Sequence, residues 1–147
     1  MLTAQLNAKL LESWNVSLLA LCGWREARNQ GRVGMTAVCW SVRNRVFHPA
    51  IHWWGQSWPG VILHPFQYSS FNHDDPNALL LPADPASDPS WADALQAAQA
   101  VYTPTTPDPT SGATHYYVDG SPVPAWANDR GIVFTVQIGK HRFYKTS

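Results

Sequence analysis

The stretch GWREARNQG, residues 23–31, sets Glu26 between Arg25 and Arg28, in a chain with only one other glutamate, Glu12. Leu19, Cys22 and Glu26 recur at i, i+3 and i+7, one stripe of a helix. Glu26 therefore leaves that helix on a face shared with core residues, where desolvation disfavours the anion and raises its pKa. A carboxylic acid kept protonated near neutral pH can give its proton to a leaving oxygen. Arg25 and Arg28, at i−1 and i+2, are turned away from the carboxyl by helical geometry. The pattern alone suits an ordinary structural glutamate as well.

Acid chemistry on glycosides usually takes two carboxylates, and none stands near Glu26 in sequence. Asp74 and Asp75, in an aromatic-rich segment, are the candidate partners, although Asn-His-Asp-Asp-Pro also reads as a turn whose side chains cap backbone. The six histidines include His48 and His52 at i, i+4, but Pro49 intervenes and no HExxH is present. His64, His73, His115 and His141 are scattered, so no metal site is expected, and no GxSxG elbow or phosphate-cradling glycine loop occurs. Cys22 and Cys39 fall inside apolar helical patterns and read as buried free thiols.

These residues must be positioned by a mixed framework. Leu2 to Leu11 reads as one helix, and a second is expected from a cap near Asn15 or Ser17 to about Arg28. Val33 to Phe47 forms a third, apolar on a wide face and so central to the domain. Asn44 interrupts one of its stripes, and a neighbouring loop, ahead of a direct substrate contact, is the expected partner. Residues 48–89 lack periodicity but carry Trp53, Trp54, Trp58, Phe66, Tyr68 and Phe71, a composition that disfavours disorder and predicts a binding-site wall. Ser87-Asp88-Pro89 opens a helix reaching Tyr102. Thr103 to Pro109 is a Pro/Thr surface loop, and the alternating runs 113–118 and 132–138 are expected to pair as a small antiparallel sheet. The class is α+β, one domain over residues 1–147.

Composition narrows the partners. Charged residues are 14% of the 147, and ten Lys+Arg balance ten Asp+Glu without a basic run. Nucleic-acid binding is therefore not expected, since phosphate recognition needs clustered positive charge. No stretch approaches the roughly 18 apolar residues of a membrane span. Eight tryptophans suit either an aromatic core or a groove in which flat rings pack on sugars.

Five ordered motifs carry a resemblance. REARNQGRVGMTAVCWSVRNRV (25–46), PGVILHPFQYSS (59–70), GATHYY (112–117), PAWA (124–127) and IGKHRFYK (138–145) resemble the SleB/CwlJ-type cell-wall hydrolases, the spore-cortex-lytic catalytic domains. The resemblance implies a lysozyme-like fold, mainly helical around a central helix, and a cofactor-free, monomeric enzyme acting on peptidoglycan glycan strands. It places a single essential acid at Glu26, which protonates the oxygen between N-acetylmuramic acid and N-acetylglucosamine and then assists closure of an anhydro ring. Gln67 and Ser69 are expected to hydrogen-bond the sugars, His115, Tyr116 and His141 to orient the acid or an acetamido group, and Trp126 to stack on a sugar. The chain departs from the family in Asn29-Gln30, where a second acid is common, and in His115, where spore-type members often carry Tyr. With no signal peptide read at the N-terminus, a phage-type endolysin released to the periplasm, or a virion-associated lysin, is the expected setting. Simple hydrolysis, a zinc amidase and a non-catalytic wall-binding module are the alternatives.

Overall fold

The computed structural model describes residues 2–64, 67–76 and 78–147. Helix α1 spans Leu2–Ala27, α2 Gly31–Val46, α3 Trp58–Leu63 and α4 Pro89–Tyr102. Three strands follow, β1 His115–Val118, β2 Ile132–Ile138 and β3 His141–Thr146.

The two expected N-terminal helices are one. Asn15 is buried inside α1 and not at a cap, because packing there overrides its preference for helix ends. Helix α1 stops at Ala27, the short 3₁₀ turn Arg28–Gln30 follows, and Gly31, with φ of 70°, lets the chain re-enter as α2. On α2, Met35, Val38, Cys39, Val42 and Val46 are buried as their stripe predicts. Val33 and Phe47, at the ends of the neighbouring stripe, are exposed instead. Gly23 lets α1 and α2 approach closely, since a Cβ there would lie 3.1 Å from Cys39 Sγ. Cys22 and Cys39 are free and buried.

Asp88 caps α4 by accepting from the amides of Ser90 and Trp91, with Pro89 in the first turn. Its Ala94, Ala97, Ala98 and Val101 complete the core against α1 and α2. In the irregular middle of the chain, Ser57 caps the short α3, which the sequence reading passed over. Asn44 Nδ2 donates to Asp108 Oδ2 at 2.8 Å and to the Ala113 carbonyl at 2.9 Å, so it ties α2 to the loop before β1.

The sheet differs from expectation. Its order is β1-β3-β2, both pairs antiparallel, so the two alternating runs flank a third strand and do not pair with each other. HRFYKT hides its strand character because His141, Phe143 and Tyr144 are buried while Lys145 is exposed, a pattern without clean polar alternation.

Candidate active site

Glu26 sits in the last turn of α1 and opens into a cleft of about 230 Å³, whose other walls include Arg45, Gln67, Tyr68, His115, Tyr116, Tyr117 and Trp126. Ser70 Oγ donates to Glu26 Oε1 at 3.0 Å, with the Ser70 amide at a longer 3.4 Å. The Tyr116 phenol lines the same cleft, and its hydroxyl favours the Glu26 anion. Burial raises the Glu26 pKa above that of an ordinary glutamate, and the negative charge of Asp75 adds to the rise. The Ser70 bonds and the Tyr116 hydroxyl act the other way without cancelling it. Burial pushes the Tyr116 phenol well above its usual range, so it remains a donor.

The flanking arginines are committed elsewhere. Arg25 donates from Nε to the Leu80 carbonyl at 3.0 Å and lies over the Phe71 ring. Its Nη1 also reaches the Ser70 carbonyl at 3.4 Å, holding the loop that presents Ser70. Arg28 lies over Trp24 and bonds the Trp24 and Arg25 carbonyls.

Of the residues expected to contact substrate, Gln67, His115, Tyr116 and Trp126 line the cleft with Glu26. The His115 ring packs on Trp126 at 4.9 Å and bonds Thr114 Oγ1, and burial, with the Arg45 charge, depresses its pKa to about 4. His141 does not line the cleft. It is 1% exposed and stands edge-on behind the Tyr116 ring at 4.8 Å, its pKa lowered to about 4 by burial. It supports the phenol that favours the Glu26 anion, a position that strand register sets and spacing could not give. The Ser69 side chain lies outside the described residues, as does Phe66.

Sequence reasoning missed Ser70 and Arg45. Both fall inside the quoted motifs, but that Ser70 faces the acid depends on the Ser69–Phe71 turn. The expected aromatic wall is partial. Tyr68 lines the cleft and Trp53 backs His115, whereas Trp58 is core and Trp54 stacks on His64. Asp74 and Asp75 are not among the lining residues. His48 spends Nε2 on Thr146 Oγ1 and Nδ1 on the Ala50 and Ile51 amides, and no group of three or more possible metal ligands converges among the described residues. A larger cavity of about 500 Å³ runs beside α1 and α4, but its one carboxylate, Glu12, is exposed.

The chain is similar in structure to the catalytic domain of the Bacillus cereus SleB protein, with a TM-score of 0.68 and 24% identity over 89% of each chain. The α+β, lysozyme-like fold is thereby established. No curated protein matches the chain. A family model described as Cell Wall Hydrolase matches residues 29–144, so Glu26, just ahead of that stretch, stands on the geometry. With most of its length inside that match, the chain belongs to the cell wall hydrolase family, enzymes that act on peptidoglycan.

Proposed function

We propose that the protein cuts the β-1,4 bond from N-acetylmuramic acid to N-acetylglucosamine as a lytic transglycosylase, with Glu26 as its general acid and base. The observation that carries this reading is a desolvated carboxyl in a cleft that, among the described residues, no second carboxylate lines, Asp75 acting on it from outside that lining through its charge. Glu26, protonated, gives its proton to the glycosidic oxygen as the bond from that oxygen to the muramyl anomeric carbon breaks. The resulting carboxylate takes the proton of the muramyl 6-hydroxyl while that oxygen attacks the anomeric carbon. A 1,6-anhydro ring forms, no water is consumed, and Glu26 returns to its protonated state. The Ser70 hydroxyl holds the carboxyl in place, and Ser70 and the Tyr116 phenol both favour the anion between the two steps.

Mass spectrometry of fragments from purified peptidoglycan tests this directly. Anhydro-muramyl ends are expected. Reducing ends would instead mean that water closes the reaction, and would sink the transglycosylase assignment. Glu26→Gln keeps the shape but has no proton to give, so turnover should drop by about a thousandfold or more with the fold retained. Near-normal turnover in that variant would remove Glu26 from the mechanism.

A further inference from the structure

Arg45 is a cation in an unusual place. It closes the last turn of α2, is 5% exposed, and lines the same cleft as Glu26. Its Nε donates to the Thr114 carbonyl at 2.6 Å and its Nη1 to Gln67 Oε1 at 2.9 Å. The Trp53 and Tyr68 rings flank it at 5.7 and 5.5 Å from their centroids. These partners are neutral. Glu26, the carboxyl that shares the cleft, accepts from Ser70. A buried guanidinium without an anion is costly to keep, and a guanidinium carries five donors in a rigid fork shaped for a carboxylate. Two of those donors are used by the bonds just given, and they fix the plane of the fork without filling it.

We propose that Arg45 is the anion-binding group of the cleft, holding a carboxylate carried by the muramyl unit of the substrate beside the bond that Glu26 attacks. The inference rests on the proposed cleavage and adds what it leaves open, the chemistry by which the site tells a muramyl sugar from a plain N-acetylglucosamine. Muramyl units offer that carboxylate from two sources: the lactyl group of a peptide-free sugar, or the first acidic residue of a stem peptide. N-acetylglucosamine offers none.

The two sources separate in a binding experiment made in the Glu26→Gln protein, where no turnover interferes. Calorimetric titration uses N-acetylglucosaminyl-N-acetylmuramic acid, its lactyl amide, the same disaccharide carrying L-Ala-D-Glu, and the bis-amide of that peptide. In one acid/amide pair the acid should bind about tenfold or more tighter than the amide, the size of a charge-assisted hydrogen bond, and that pair names the source. Adding Arg45→Gln should bring the ratio close to one while leaving the amides' affinity unchanged. Arg45→Lys, which keeps the charge and loses the fork, should keep only part of the ratio. Equal binding within both pairs overturns the proposal, and so does an Arg45→Gln protein that loses the amides as strongly as the acids, which would mark a purely structural arginine. If Arg45→Gln does not fold, the acid/amide ratios with Arg45 present and the lysine variant decide the matter. A failure of the cleavage reading would appear separately, in the fragment masses.

Discussion

The proton on Glu26 is governed by opposed effects that different residues supply. Burial and the charge of Asp75 favour the neutral acid, while Ser70 and Tyr116 favour the anion, and burial prevails. Donation needs the protonated form, so kcat/KM should fall as pH rises through the raised Glu26 value, and the limb should lie above that of an ordinary glutamate. Ser70→Ala removes a bond that stabilises the anion, so the acid holds its proton more tightly. The falling limb of the profile should move to higher pH in that variant. A limb that stays put or moves down would show that Ser70 does not set this pKa. At this scale the placement of Glu26 on a core-facing stripe was legible, because the recurrence of Leu19, Cys22 and Glu26 is a property of helical spacing. Of the groups around it, Tyr116 came only with the motif resemblance and Ser70 not at all, since they reach it from residues 90 and 44 positions away along the chain.

Helices are recognisable from local signals, but what clamps the helices to the sheet is long-range. Gln30 lies in the turn between α1 and α2. It reaches the β2–β3 hairpin: its Oε1 accepts from the Lys140 amide at 2.7 Å, and its Nε2 meets His141 Nδ1 at 3.1 Å. The tight turn depends on Gly139, with φ of 57° and the Gln30 Oε1 occupying the space a Cβ would need. His141 in turn backs Tyr116, which favours the Glu26 anion. Gln30 thus acts on the acid only through the hairpin, as a positioning residue. Gln30→Ala should lower unfolding free energy by about 1–2 kcal/mol, two modest hydrogen bonds, in urea titration. An unchanged urea midpoint would show that the clamp does not contribute. The Asp88-Pro89 start of α4 and the α2 core stripe could be read from sequence because caps and 3.6-residue periods are local. The order β1-β3-β2 could not, because β3 shows no alternation to mark it as a strand.

Across the whole molecule, the packed body begins well inside the first helix. Residues 2–14 are exposed, Leu2 by 79% and Trp14 by 61%, and docking of α1 starts at Asn15 and Val16. Leu2, Leu6, Leu10 and Trp14 follow one another at i+4 spacing, which from sequence alone looks like a core-facing stripe. Among the described residues this part of the helix has no neighbour to bury it, so helical spacing alone does not tell a packed element from a projecting one. Helical stability in a folded protein comes mostly from packing of a buried face, so this half of α1 adds little to the global fold. Deleting residues 1–13 should change unfolding free energy by less than about 1 kcal/mol and leave the rate of peptidoglycan cleavage intact, with only the helical circular-dichroism signal reduced. Loss of folding or of cleavage in the shortened chain would mean that the exposed stripe packs on something in solution, against the arrangement in which the body from Asn15 onward holds both the core and the cleft.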